Sequence, residues 1–150
     1  MVSYDMTKTP VVNVVDDILA YAATHGASDI HFDPRDDFLM VRMRVDGDLK
    51  DYTKIQKIYE RNLITRIKLL ANMNITESRL PQDGSIKGTI KGIAMETRVS
   101  TLPTNEGEKC VIRILDYSRS LAGIDSLGFN ERNLKKLKKM IKEPNGIILI

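Results

Sequence analysis

Two β-type segments joined by a polar loop constrain the fold of this sequence more than any other feature. The first covers residues 94–102 and includes β-branched side chains, and the second covers residues 109–115 and alternates between two faces. A period of two residues is typical of a β-strand. Pro103 and Gly107 interrupt the pattern between the segments, as turn residues do. We therefore expect two neighbouring strands that the loop brings side by side.

Arginines lie inside both segments and in two further motifs. Arg98 and Arg113 stand among apolar or β-branched residues, where a guanidinium is costly unless an anion satisfies it. Arg42 and Arg44 are two residues apart and share one strand face, and Arg79 precedes an LPQDG turn. Guanidiniums on one sheet would form an anion site, since each offers paired donors to phosphate or carboxylate. The alternative, which the residue types favour equally, is ion pairing with nearby carboxylates: Asp29, Asp46, Asp83 and Glu96.

Hydrophobic periodicity predicts three helices. Apolar residues at three- and four-residue spacing indicate a first helix that begins at Pro10 and ends before Gly26. The same spacing predicts a second helix at 59–71 and a basic third helix at 131–141, with Asn130 as its N-cap. The charged side chains of the second helix are expected to face solvent: Arg61, Arg66 and Lys68.

Six strands are predicted between and after the first two helices. Two-residue turns at Asp46-Gly47 and Lys91-Gly92 each indicate a β-hairpin. A Gly-containing linker at 120–129 is expected before the third helix. The predicted strands are 29–32, 38–45, 49–53, 85–90, 93–102 and 109–115.

Composition excludes several classes of function. The net charge of +3, from 23 basic and 20 acidic residues, is too small to indicate nucleic-acid binding by itself. The single cysteine, Cys110, excludes an internal disulfide and a cysteine-rich metal site. His25 and His31 are the only histidines, and a lone histidine on a strand is more often structural than catalytic. The sequence contains no Walker-type glycine loop and no nucleophile elbow.

The two ends of the sequence differ in character. Residues 1–9 are polar and predict a flexible segment. Residues 147–150 are all aliphatic and follow a Pro-Asn-Gly turn, which is typical of a strand buried on both faces in a parallel sheet. We expect this sequence to continue into a second, α/β domain.

Five blocks of the sequence are distinctive in their order and spacing. They are ASDIHFDP (27–34), VRMRVDGDL (41–49), ITESRLPQDGSI (75–86), TRVSTLPTNEGEKCVIRIL (97–115) and EPNGIILI (143–150). Together these blocks resemble the secretion-superfamily traffic ATPases, a family that includes the type IV pilus assembly ATPases and the type II secretion ATPases. The resemblance covers nearly all of residues 10–150. Small departures are Phe32 and Asp33 in place of a more usual Ile-Glu, and Ser85 in place of a common Arg.

The resemblance implies an α+β fold, in which a PAS-like antiparallel sheet is flanked by helices. It implies a flexible segment at 1–9, the PAS-like domain at 10–118, and the start of a RecA-like motor domain at 119–150. That last part would comprise a linker, a helix and the first strand. The family's Walker loop would follow this strand, so the chain by itself is not expected to be an enzyme.

The resemblance also implies a function for the complete protein. Such proteins are hexameric ATPases that power type IV pilus assembly or type II secretion. Arg98 and Arg113 match the positions of arginines similar to arginine fingers, which reach the ATP phosphates at the cleft with the motor domain. Arg42, Arg44 and Arg79 are second-rank candidates for the same cleft.

Cofactors, partners and location follow from the same resemblance. ATP and Mg²⁺ are expected in the complete protein, and neither is expected to bind this chain alone. The expected partners are the RecA-like domain of the same or an adjacent subunit and an inner-membrane platform protein, with no nucleic acid. The expected location is cytoplasmic, at the inner face of the cell membrane.

Two other interpretations stay open. A PAS-like sheet could serve as a non-catalytic regulatory or scaffold module that docks a ligand or a neighbouring subunit. Nucleic-acid binding would rest on the basic third helix, but few aromatic residues are present and no base-stacking motif is visible.

Overall fold

The computed structural model describes residues 1–115 and 123–149. The chain divides into two compact units, Met1–Asp116 and Tyr117–Ile150. The described part of the first unit contains two α-helices, a 3-10 helix at Lys57–Tyr59 and six strands. In chain order the α-helices and strands are α1 (Val11–Thr24), β1 (Ala27–Pro34), β2 (Phe38–Val45), β3 (Asp48–Gln56), α2 (Glu60–Leu70), β4 (Gln82–Ile90), β5 (Ile93–Thr104) and β6 (Gly107–Ile114).

The six strands form one sheet in the order β3-β2-β1-β6-β5-β4. Every neighbouring pair is antiparallel, which confirms the predicted α+β class with an antiparallel sheet. Both predicted two-residue turns are present. Asp46 and Gly47 have φ values of 53° and 89°, and Lys91 and Gly92 have values of 49° and 80°. Positive φ at both turn positions matches the twist of the strands that they join, so the sequence defines these hairpins locally.

The hydrophobic core lies on one face of the sheet, beneath α1 and α2. Strand alternation turns Ile30 and Phe32 of β1 into this core, where both are fully buried. Complete burial of a side chain such as Phe32 contributes about 1.5–3 kcal/mol. The helices contribute the stripes that their periodicity predicts: Val14, Val15, Ile18, Leu19 and Ala22 from α1, and Leu63, Ile64 and Ile67 from α2.

We call the opposite side of the sheet the open face. Asp29, His31 and Asp33 of β1 belong to it, because they alternate with the core residues Ile30 and Phe32. In the described residues of the first unit, both α-helices lie on the other side. The open face is therefore where the sheet can present polar side chains.

Residues 1–9, which the sequence predicts to be flexible, contact the edge strand β3. The backbone N–H of Val2 donates to the carbonyl of Tyr52 at 2.8 Å, and Val2 forms a parallel bridge with Thr53. The hydroxyl groups of Tyr4 and Tyr52 are 2.9 Å apart. The physical reason is that β3 is an edge strand, whose outer backbone groups need hydrogen-bond partners. The first helix also begins at Val11, with Pro10 as its N-cap residue.

The prediction that Lys68 faces solvent is wrong. Its side chain is only 2% exposed, and its Nζ lies 2.6 Å from Oε1 of Glu108 on β6. The same ammonium donates to the carbonyl of Glu77 at 2.7 Å. Of the other two charged residues, Arg61 is exposed and Arg66 forms an ion pair with Asp16. The Lys68–Glu108 pair therefore ties α2 to the sheet through buried charges.

The second unit contains α3 (Glu131–Met140) after a short 3-10 turn at Ile124–Ser126. Asn130 caps α3 as predicted, since its side chain accepts from the N–H of Asn133 at 2.9 Å. Part of the predicted linker, residues 120–122, lies outside the described residues.

The predicted strand at 147–150 is not formed at its described positions. Residues 147–149 have no regular secondary structure, and Ile147 and Leu149 are 87% and 90% exposed. A strand exists only where a neighbour accepts and donates its hydrogen bonds. The described part of this unit contains a helix and turns but no strand that could pair.

Candidate functional site

The register of the sheet places three arginines and one aspartate in a single row across the open face. Arg98 of β5 is the register partner of Arg113 of β6, and Arg113 is the partner of Asp29 of β1. On the other side, Asp29 is the partner of Arg44 of β2. Register partners on neighbouring strands point to the same face. We call these four residues the arginine row.

The contacts in the arginine row centre on the Asp29 carboxylate. Nε of Arg113 donates to Oδ1 of Asp29 at 3.0 Å, and Nε of Arg44 lies 3.6 Å from Oδ2. The Ser28 hydroxyl also donates to Oδ2, at 2.8 Å. Asp29 is only 7% exposed, whereas the Arg113 side chain is 68% exposed. The carboxylate therefore lies at the floor of the row and the Arg113 guanidinium extends outward from it.

The arginine row contains three guanidiniums and one carboxylate, which pairs with Arg44 and Arg113, so the row carries excess positive charge. Arg98 is exposed, and among residues 1–115 no carboxylate lies within ion-pair distance of it. Arg44 is held further by a hydrogen bond from its Nη1 to the carbonyl of Gly47 at 2.7 Å. An exposed excess of guanidinium on a rigid sheet is suited to bind an anion with several oxygens.

A second charged cluster lies on the same face, around Asp33. Arg42 donates from Nε to Oδ2 of Asp33 at 2.8 Å, and its Nη2 lies 2.6 Å from the same oxygen. Nζ of Lys109 lies 2.9 Å from Oδ1. Asp33 is 5% exposed. The second-rank candidate Arg42 is thus held by the Asp33 carboxylate through one hydrogen bond and a close ion pair.

Arg79 lies away from both clusters in the chain's described structure. It belongs to the loop between α2 and β4, its side chain is 89% exposed, and its Nε is 3.6 Å from Oε1 of Glu77. Of the predicted site residues, the sheet therefore brings together Arg98, Arg113 and Arg44, and it places Arg42 on the same face. It does not bring Arg79 to them.

Ion pairing within the sheet, which the residue types favoured as much as an anion site, is present as well. Of the four carboxylates that were predicted as ion-pair partners, Asp29 alone contacts these arginines among the described residues.

Two charged residues of the open face, Asp33 and Lys109, were not among the predicted site residues. The signal that could have found Asp33 is the alternation Asp29-Ile30-His31-Phe32-Asp33, which sends every second side chain of β1 to the open face.

The environment of each aspartate favours its charged form. Burial acts to raise the pKa of Asp29, but hydrogen bonds from Ser28 and Arg113 and the charge of Arg113 outweigh it, so the pKa lies below its usual value. Burial likewise acts to raise the pKa of Asp33, and hydrogen bonds and charges from Lys109 and Arg42 lower it further than burial raises it. Both carboxylates therefore remain ionised at neutral pH.

His31 separates the two clusters and makes stability depend on pH. Burial lowers the pKa of the His31 imidazole. The charges of Asp33 and Asp29 act to raise it and those of Lys109 and Arg42 act to lower it, and the net pKa lies below its usual value. Because the pKa of His31 is lower in the folded state than the unfolded value of about 6.5, the unfolded state binds a proton first as pH falls.

We expect the urea midpoint of unfolding to decrease between about pH 7 and 5, and to decrease less in the His31→Asn variant. A variant of the exposed His25, His25→Asn, is the control, and an unchanged slope in His31→Asn would contradict the prediction.

The described residues show no reactive thiol, metal-binding cluster or membrane-spanning helix. Cys110 is fully buried, and burial raises the pKa of its thiol, so it is an unreactive core residue. Within residues 1–115 and 123–149, no group of three or more His, Cys, Asp or Glu side chains is placed to hold a metal ion. Over the same residues, no helix has the length and apolar composition needed to cross a membrane.

The sheet and its helices define a class of α+β domain that also occurs in solved motor ATPases. The pilus retraction motor PilT, solved with bound ADP, matches with a TM-score of 0.50 at 19% identity, covering 80% of this chain and 34% of that chain. The ATPase DotB of Legionella pneumophila matches with a TM-score of 0.51 at 12% identity, covering 83% and 34%. At these identities the likeness establishes the fold.

Sequence comparison identifies the family. A family model described as type II/IV secretion system protein matches residues 5–150, and the chain belongs to this family. Type II secretion system protein E of Pectobacterium carotovorum is 39% identical over 141 residues, which are 94% of this chain and 28% of that protein. The type IV pilus assembly ATPase PilB of Pseudomonas aeruginosa is 40% identical over 149 residues, or 99% and 26%. The chain thus spans about a quarter of the length of these relatives, and the predicted resemblance is confirmed.

Proposed function

We propose that this chain is the N-terminal part of an ATPase for type II secretion or type IV pilus assembly. In this proposal the arginine row supplies Arg98 and Arg113 to the phosphates of ATP bound by a motor domain. The observation that carries it is the register pairing of these two exposed arginines on neighbouring strands. Two guanidiniums side by side repel each other unless an anion lies between or above them.

The phosphate tail of ATP has the chemistry that this arrangement recognises. Its oxygens accept paired hydrogen bonds from guanidinium, and negative charge must be stabilised while the phosphoryl group is transferred. Arg98 and Arg113 would act as arginine fingers, which contribute electrostatic stabilisation without forming a covalent bond. ATP and Mg²⁺ would be held mainly by the motor domain, and the Lys and carboxylates for that task would come from there.

The proposal extends to domains and assembly. Residues 10–118 would form the arginine-bearing domain, and residues 119–150 would lead into a RecA-like motor domain. The complete protein would be a homohexamer in which the arginines face the motor domain of the same or an adjacent subunit. It would act at the cytoplasmic face of the cell membrane with a platform protein of the machine. The names of the relatives, which are components of secretion and pilus systems, support this setting.

A non-catalytic scaffold domain is the second candidate, and one observation favours it. Arg42, Arg44 and Arg113 all form ion pairs with carboxylates that are nearly buried. Arginines used in this way hold strands together and need no external anion. The two candidates differ in what arginine removal does: a scaffold loses stability, whereas a catalytic domain loses turnover.

ATP hydrolysis measured on two lengths of the protein tests the proposal. The full-length protein is expected to hydrolyse ATP in the presence of Mg²⁺, and the 150-residue chain is expected to stay at background. Both are assayed at equal molar concentration with a coupled phosphate-release assay. Robust Mg²⁺-dependent turnover by the 150-residue chain would contradict the proposed division of the site, and an inactive full-length protein would contradict the ATPase itself.

A further inference from the structure

The two arginines of the proposed site are held very differently. Arg113 donates its Nε–H to Oδ1 of Asp29 at 3.0 Å, while Arg98 is exposed on the neighbouring strand. Asp29 is itself fixed by the Ser28 hydroxyl at 2.8 Å and by the charge of Arg44 at 3.6 Å. A nearly buried carboxylate with several partners has little freedom to move. Arg113 therefore has a rigid point of attachment that Arg98 lacks.

We propose that Asp29 is a positioning residue for Arg113, which it orients by accepting the Nε–H so that the terminal guanidinium nitrogens face the phosphate. This inference rests on the proposed function of Arg113. A guanidinium has one Nε–H and two terminal NH₂ groups in a fixed plane. A contact at Nε leaves both terminal groups for another acceptor and fixes the plane in which they lie. Long flexible side chains act as precise donors only when a second residue restrains them.

Arg44 completes the arrangement as a second cation beside the Asp29 carboxylate, with its Nε 3.6 Å from Oδ2. Without a second cation, the positive charge of Arg113 would be largely neutralised by the carboxylate that orients it. With Arg44 and its bond to the carbonyl of Gly47 on the other side, Asp29 is shared between two guanidiniums. Arg113 is thus oriented while the arginine row keeps excess positive charge for an anion.

Asp33 offers a matched control for Asp29. It lies on the same strand and the same face, it is similarly buried at 5% against 7%, and it also pairs with two cations. The cations that it contacts are Arg42 and Lys109, so removing it disturbs the sheet similarly without touching Arg113. A purely structural role for Asp29 would make the two substitutions equivalent.

The test combines kinetics of the full-length protein with a double-mutant cycle. Asp29→Ala should lower kcat about 10- to 100-fold with a change of less than about threefold in the KM for ATP. Asp29→Asn keeps an oxygen that can accept from Nε, so it should retain more activity than Asp29→Ala. Asp33→Ala should stay within about threefold of the parent. In an Arg113→Ala background, Asp29→Ala should lower kcat no further, because its effect passes through Arg113.

The outcomes separate this inference from the proposed function. If Arg113→Ala lowers kcat but Asp29→Ala does not, or if the two losses multiply, the positioning role is overturned and the proposed function stands. If Arg113→Ala leaves kcat unchanged, the positioning role and the proposed function are both overturned.

The contact between Arg113 and Asp29 is checked by NMR of the Arg113 Nε–H in the 150-residue chain. Its hydrogen exchange should be slowed in the parent and in Asp33→Ala and should accelerate in Asp29→Ala, and equal rates in all three would overturn the contact.

Discussion

Replacing Arg113 by alanine in the full-length protein is expected to lower the turnover number for ATP by about 100-fold or more. The reason is that a guanidinium aimed at the transferred phosphoryl group stabilises charge that exists mainly in the transition state. Arg98→Ala is expected to act in the same direction, since Arg98 is its register partner. Initial rates at saturating ATP and Mg²⁺ measure the effect. Arg61→Ala, which removes an exposed arginine of α2, is the control and should leave turnover unchanged.

Stability measured on the same variants separates catalysis from scaffolding. The Arg113 side chain is 68% exposed, and after its removal the nearly buried Asp29 carboxylate keeps the Ser28 hydroxyl at 2.8 Å and Nε of Arg44 at 3.6 Å. Because Asp29 retains these partners, Arg113→Ala should lower the midpoint of unfolding only modestly while turnover falls. An unchanged rate in both arginine variants would remove these residues from the site. A loss of turnover that follows a comparable loss of stability would favour the scaffold role.

Replacing Lys68 by methionine is expected to destabilise the first unit by about 3–5 kcal/mol. The Lys68 side chain is 2% exposed, and its Nζ lies 2.6 Å from Oε1 of Glu108, whose side chain is only 11% exposed. Without Lys68, the Glu108 carboxylate stays buried without its cation, and the carbonyl of Glu77 loses a donor. Urea unfolding of the 150-residue chain, followed by circular dichroism because the sequence has no tryptophan, measures the change.

Two further variants test whether the destabilisation by Lys68→Met comes from a buried carboxylate without its cation. Lys68→Met combined with Glu108→Leu should recover most of the lost stability, because no buried charge remains unpaired. Lys87→Met is the matched control, since Lys87 pairs with Glu96 at 3.4 Å but is 77% exposed, and it should cost less than about 1 kcal/mol. If Lys68→Met costs no more than Lys87→Met, the pair does not stabilise the fold through burial.

Local features of the fold could be predicted from the sequence because their causes are local. The two-residue turns at Asp46-Gly47 and Lys91-Gly92 need only residues that accept positive φ. The buried stripe of α1 follows from its helical spacing, and Asn130 caps α3 through a bond within one turn. None of these depends on which distant segment lies nearby.

Contacts with distant segments could not be predicted from the sequence. The wrong prediction that Lys68 faces solvent arose because its partner Glu108 comes from β6, far away in the sequence. The contact of Val2 with β3 likewise depends on β3 being the edge strand of the assembled sheet. The hydrophobic run at 147–150 has the composition of a strand, but composition does not supply the neighbouring strand with which it would pair.

The family, the α+β class and the placement of Arg98 and Arg113 on neighbouring strands can be predicted from the sequence alone. Only the folded sheet shows that these two arginines are register partners and that Asp29 lies between Arg113 and Arg44. The physical reason is that register is set by hydrogen bonds between neighbouring strands, and β1 pairs with β6, which lies more than 70 residues further along the chain. The arginine row, with the nearly buried Asp29 carboxylate at its floor, therefore exists only in the assembled sheet.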